Sequence, residues 1–222
     1  MLAALLGTLP LPGCAYWFFS GTDKVDRTHP VALVETRGGV EYGATTEIGI
    51  LTLGRSATEG PCRVHYWLGP TPIIEDGELL VTGSVFNRAD IDLQTQQVRI
   101  FDRYPTVDDE LVAMWTTDGR TTQSVGVELA QDPGVTGSVL ADPGVELPAG
   151  AAIFADFEGK YRFVGLVSAR ASVSGGAAGD QTYYTFAGLD RVRELLAVPE
   201  IWPKDFRAKF RPDDIIIMKP VR

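Results

Sequence analysis

An all-β body carrying one terminal helix is the fold class this sequence predicts, and three observations predict it. Short runs rich in Val, Ile, Thr and Phe recur along the chain, each bounded by Gly, Pro, Asp or Asn. Fourteen prolines and 24 glycines among 222 residues leave few stretches long enough for a helix. Only at Leu189, Val192, Leu195 and Leu196 do apolar residues recur at helical spacing, with Asp190 in the first turn and Pro199 as the stop.

Taken in order, the chain opens on the apolar Met1-Leu2-Ala3-Ala4-Leu5-Leu6 followed by Leu11-Pro12-Gly13-Cys14. This resembles the end of a bacterial lipoprotein signal peptide with its Leu-x-Gly-Cys lipobox, which implies residues 1–14 as signal and Cys14 as the lipidated residue. An ordinary secretory signal and a buried N-terminal segment are the alternatives. Residues 15–29 read as a tether. With Cys14 acylated, Cys62 has no disulfide partner and reads as a small packed core residue.

Pro30 to Glu35, Glu47 to Leu53 and Cys62 to Leu68 are the first strand candidates, with Arg37-Gly38-Gly39 as a turn and Gly54 to Pro61 as a loop. Within Cys62 to Leu68, alternation places Val64, Tyr66 and Leu68 on one face and Arg63, His65 and Trp67 on the other, making His65 a half-exposed strand residue. Glu75-Asp76-Gly77-Glu78 leads as a turn into Leu79 to Phe86. Val98 to Asp102, Leu111 to Trp115, Ser124 to Ala130 and Thr136 to Leu140 supply further strands, separated by turns at Asp118-Gly119 and Asp132-Pro133-Gly134. After Leu147-Pro148-Ala149-Gly150 come a strand through Ile153-Phe154, a turn over Asp156 to Lys160, and the apolar run Tyr161 to Ser168. Ala171 to Gly179 reads as a small-residue loop, and Asp213 to Met218, after the basic Lys204, Arg207, Lys209 and Arg211, as a strand.

Composition removes several kinds of chemistry. A net charge of −9 repels nucleic acid phosphates. Two histidines and two cysteines, widely spaced, do not make a zinc site, and neither Gly-x-Gly-x-x-Gly nor a phosphate-binding loop occurs. The acidic pairs at Asp90/Asp92 and Asp108/Asp109 lack a calcium-loop motif. No cofactor and no metal are expected.

Residues Val145 to Leu196 carry a family likeness. Gly150, Ile153 and Phe154, then Val164-Gly165-Leu166-Val167-Ser168, then Tyr184, Leu189, Val192, Leu195 and Leu196 resemble the C-terminal half of trypsin-like serine proteases. In that family a Gly-Asp-Ser-Gly turn carries the nucleophile, a strand reading Val-Leu-Thr-Ala-Ala-His carries the base, and an aspartate opens a strand reading Asp-Ile-Ala-Leu. The resemblance implies a double β-barrel of trypsin-like type, with a first barrel over residues 30–115, a second barrel with terminal helix over 116–198, and a C-terminal extension at 199–222. It also implies a degenerate site. Ala149 stands at the nucleophile, Pro148 and Leu147 replace the Asp and Gly before it, Val85 falls on the base when Thr82 is laid on the family threonine, and Asp109 is the third member, with Asp90 an earlier fit.

The expected role is therefore non-catalytic, a pseudoprotease of the cell envelope that binds a protein or peptide partner at the vestigial cleft or through the C-terminal tail. Two alternatives stay open at this point. One is an active serine hydrolase built from His65, Asp109 and Ser168, the other an unrelated all-β envelope lipoprotein.

Overall fold

The computed structural model describes residues 29–54, 58–82, 85–91, 98–130, 137–157, 159–176 and 179–197. Cys14 and the C-terminal extension, and with them the expected lipid anchor and the strand at Asp213 to Met218, lie outside these residues.

Six strands build the first barrel: β1 (Val31–Thr36), β2 (Gly39–Thr46), β3 (Gly49–Leu53), β4 (Gly60–Leu68), β5 (Thr71–Val81) and β6 (Phe86–Asp90). Six more build the second: β7 (Leu111–Thr116), β8 (Thr122–Leu129), β9 (Ser138–Ala141), β10 (Ala152–Phe157), β11 (Lys160–Gly176) and β12 (Gly179–Ala187), followed by helix α1 (Leu189–Leu196). Both barrels close in the same antiparallel order. The first runs β1-β2-β3-β6-β5-β4, and the second, counted from β7, repeats that order strand for strand. Closure leaves neither sheet a full-length free edge.

Several expectations change, one of them at Glu75-Asp76-Gly77-Glu78, which is not a turn but the middle of β5, paired with β4. β7 pairs with β8 and β10, so it belongs to the second barrel, and a boundary at residue 115 would cut through it. β2 was not anticipated; its first half runs from exposed Gly39 and Val40 to half-buried Glu41 and Tyr42, and it is held as a strand by ladders to both β1 and β3. The run Leu79 to Phe86 is not one strand but a hairpin between β5 and β6, where Thr82 Oγ1 donates to the Phe86 carbonyl at 2.5 Å. Ala171 to Gly179 is not a surface loop, because the β11–β12 ladder continues as far as the Gly176–Gly179 pair. Small residues there suggest a break, but the partner strand satisfies their backbone groups.

Strand alternation splits the core in two. Ala32, Val34, Ile50, Val64, Tyr66 and Leu79 fill the first barrel. The intervening residues on the same strands, among them Val31, Leu51, Leu53 and Phe86, turn outward and join one continuous apolar mass with Phe154, Phe163 and Leu166 of the second barrel. Each such fully buried Leu or Phe contributes about 1.5–3 kcal/mol, so the seam between the barrels is itself a core. Two single-residue bridges replace the expected strand at Val98 to Asp102: Val98 pairs with Thr46 and Ile100 with Phe163, carrying the connection from one barrel to the other. The half-buried Glu47 carboxylate accepts from the Ile100 N–H at 2.9 Å and anchors that crossing.

Helix α1 buries Leu189, Val192, Leu195 and Leu196 against the body. Arg193 donates to the Tyr104 hydroxyl at 2.9 Å, and that hydroxyl in turn bonds Asp190, so the inter-barrel connection and the helix are locked together.

Candidate functional site

The turn before β10 sits where the two barrels meet. It is built from below by β11 and β12. The Tyr184 hydroxyl donates to the Val145 carbonyl at 2.9 Å, the Gly150 N–H donates to the Val167 carbonyl at 2.7 Å, and the Val167 N–H donates to the Ala151 carbonyl at 2.8 Å. The Ala151 N–H closes the turn on the Pro148 carbonyl at 3.0 Å. Leu147 is buried, Ala149 is half-buried, and Gly150 takes a left-handed φ of +91° that disfavours any side chain. A Cβ at Gly150 would stand 2.7 Å from the Tyr42 carbonyl oxygen on β2, so the turn is pressed directly onto the first barrel.

Val85 lies at the opening of β6, after the β5–β6 hairpin, and its carbonyl accepts from the Gly54 N–H at 2.7 Å. It therefore adjoins the exit of β3 without being on that strand. Both Val85 and Ala149 pack against the apolar mass of the seam. The turn bearing Ala149 joins the third and fourth strands of its barrel, and the same connection in the first barrel runs from Gly54 to Glu59. Residues 55–57 of it lie outside the described residues.

Asp109 precedes β7 and is satisfied within its own segment. Arg103 donates to both carboxylate oxygens, at 2.7 and 2.5 Å, and the Thr106 N–H and hydroxyl add bonds of 2.6 and 3.0 Å. The Arg103 guanidinium, helped by Thr106 and opposed by partial burial, holds the Asp109 carboxyl below the usual carboxylate range. Its role in this structure is to fold the inter-barrel connection. Asp90 pairs with Arg88 at 2.9 Å at the end of β6.

The second set of residues is engaged elsewhere. His65 Nε2 lies 3.2 Å from the Glu35 carboxylate, close enough for an ion pair but off the line of a hydrogen bond. Its ring lies over Gly119 of the second barrel. The Ser168 hydroxyl donates to the Thr185 carbonyl at 3.1 Å. Sequence alternation placed His65 correctly on the outer face of β4; the partner that covers it was not legible.

Arg170 was missed. It pairs with Glu146 at 2.5 Å across the side of the Ala149 turn, joining β11 to the segment that leads into that turn. No local pattern marks a single arginine in a small-residue stretch. Among the described residues no group of three or more His, Cys, Asp or Glu is placed to hold a metal ion.

No protein-family model matches this chain, and no curated protein matches it. Solved structures do. A serine endoprotease from Yersinia pestis is similar with a TM-score of 0.50 at 14% identity, over 81% of this chain and 66% of that one. The Rv3671c protease of M. tuberculosis, in an inactive form, gives a TM-score of 0.48 at 14% identity, over 76% of this chain and 87% of that one. The MamO protease domain of Magnetospirillum magneticum gives 0.47 at 12% identity, over 71% and 92%. At these identities the likeness is one of fold. With its two six-stranded antiparallel barrels and short C-terminal helix, the chain has the trypsin-like double-barrel fold.

Proposed function

We propose that this chain is a pseudoprotease, a trypsin-like double barrel that no longer hydrolyses peptides and instead binds an extended segment of a partner protein beside the Ala149 turn. The observation that carries the reading is Ala149 itself. The turn keeps its left-handed Gly150 and its backbone bonds to Val167, but offers a methyl group where acyl transfer needs a nucleophile. The family's Val-Leu-Thr motif also fits an earlier strand. In β3, Ile50-Leu51-Thr52 fits the Val-Leu-Thr of the base-bearing strand and puts Arg55 on the histidine, while Val85 falls where the aspartate-bearing strand begins. Arginine stays protonated and accepts no proton, and valine orients nothing, so this alignment leaves base and orienting carboxylate missing together.

Binding is favoured over a purely structural role by one feature of β11. It pairs with β10 only as far as Leu166, yet with β12 as far as Gly176, so from Ala169 onward the described residues give it a partner on one side. A half-open strand beside a turn accepts an added strand from a partner. We further place the protein at the cell envelope, tethered through a lipid on Cys14.

The test is hydrolysis and active-site labelling of the wild type and of Ala149→Ser. A fluorophosphonate is expected to label neither, and neither cleaves a mixed peptide library above the uncatalysed rate. Labelling of a serine in the wild-type chain would overturn the reading in favour of an active hydrolase.

A further inference from the structure

Arg170 and Glu146 face each other across the margin of the half-open strand. Their pair is 2.5 Å long, with the side chains 51% and 74% exposed, so it is screened by water and readily exchanged. Arg170 stands opposite Tyr184 in the β11–β12 ladder, and cross-strand neighbours share a face of the sheet. Both therefore reach the same segment, Tyr184 to the Val145 carbonyl and Arg170 to Glu146. The two members of the pair differ in place. Glu146 lies on the segment leading into the turn, off the ladder, whereas Arg170 belongs to the strand on which a partner would add. A side chain in register on an added strand meets Arg170 first.

Resting on the peptide-binding reading above, we propose that Arg170 selects an extended partner segment carrying an aspartate or glutamate side chain opposite it, and that Glu146 is the resting counterion this side chain displaces. β11 runs on beyond Arg170 to Gly176, so an added strand can continue past Arg170 along it, while toward Val167 the edge is closed by the Ala149 turn. The carboxylate is thus an internal acidic side chain rather than a chain terminus. With a net charge of −9 the protein repels an acidic segment at long range. Selectivity then resides in how long the complex lasts rather than in how fast it forms.

The experiment is selection of a random nonapeptide library displayed on phage against the full-length wild type, Arg170→Glu and Glu146→Gln, each first checked by thermal melting for an unchanged fold. Peptides enriched on the wild type are expected to carry an internal Asp or Glu. Arg170→Glu is expected to weaken them about fivefold and shift enrichment to Lys or Arg, while Glu146→Gln strengthens them about twofold by freeing Arg170. Enrichment of peptides with no acidic preference, or one unchanged in Arg170→Glu, overturns the selection by Arg170 and leaves the peptide-binding reading standing. Enrichment of nothing on any of the three overturns both. Peptides that bind only through a free C-terminal carboxylate, losing affinity on amidation, also overturn the proposal.

Discussion

Gly119, at φ +66°, lies directly beneath His65: a Cβ built at Gly119 would stand 2.7 Å from His65 Cβ and 2.8 Å from its Nδ1. The β7–β8 turn of the second barrel is thus seated on β4 of the first through a residue with no side chain. Gly119→Ala should destabilise the fold by about 1–3 kcal/mol, from backbone strain and overpacking together. The nearest atom is the Cβ of His65, so His65→Ala should not rescue it, whereas His65→Gly should recover part of the loss. Urea denaturation of the single and double variants measures this, and full rescue by His65→Ala would show that the ring alone sets the contact.

Gly150 makes the companion contact, but against backbone. The atom in its way is the Tyr42 carbonyl oxygen at 2.7 Å, on a residue paired with Leu33 in the β1–β2 ladder. That oxygen cannot withdraw without disturbing the ladder. Gly150→Ala should therefore destabilise by about 2–4 kcal/mol, and Tyr42→Ala should give no relief. A loss in Gly150→Ala smaller than in Gly119→Ala would contradict this ranking.

His29 stacks on Trp67 with ring centroids 4.9 Å apart and shares a hydrogen bond of 2.8 Å with Thr122 Oγ1. Burial pushes its pKa down, because the charged ring is the form that loses most on desolvation. The unfolded chain then takes up this proton at higher pH than the folded one. The stabilisation is complete above about pH 6.5 and is lost as pH falls through the depressed folded value. Unfolding free energies at pH 7.5 and pH 5.5 should show this decline, and it should be reduced in His29→Gln. An equal slope in the variant would assign the effect to other groups.

Cys62 is buried in the first barrel, and burial, aided by Glu78, Asp76 and Glu41, pushes its thiol up to about 11. At pH 8 almost no thiolate forms. In a Cys14→Ser background the native protein should react with a disulfide reagent only at the rate at which it unfolds, and fully in urea. Rapid stoichiometric reaction of the native protein would place Cys62 nearer the surface.

The second barrel was the more legible half. Val164-Gly165-Leu166-Val167-Ser168 and the helix stripe Leu189, Val192, Leu195 and Leu196 are contiguous patterns, and the structure puts them in β11 and α1 as expected. The first barrel was harder. Its β2 is held by two neighbouring ladders rather than by its own apolar run, so nothing local announced it. The choice between the Thr82 alignment and the one proposed for β3 turns on a related point. β3 ends on Ile50-Leu51-Thr52-Leu53 and β5 on Leu79-Leu80-Val81 with Thr82 just beyond, and only pairing shows that β3 lies between β2 and β6.

By itself, the sequence determined what kind of body this is and that an alanine stands at position 149: period-two apolar runs and turn residues specify strands, and a residue type can be read without coordinates. It also showed that His65 faces outward from its strand. The tertiary structure alone decided which strands close which barrel and that Gly119 and Gly150 form the seats between them. It alone placed Asp109 on Arg103 and set Arg170 against Glu146. Apart from the Arg103–Asp109 pair, six residues apart within one connection, these are contacts between residues distant in sequence, made by closure of two barrels onto a shared core, and no local periodicity encodes any of them.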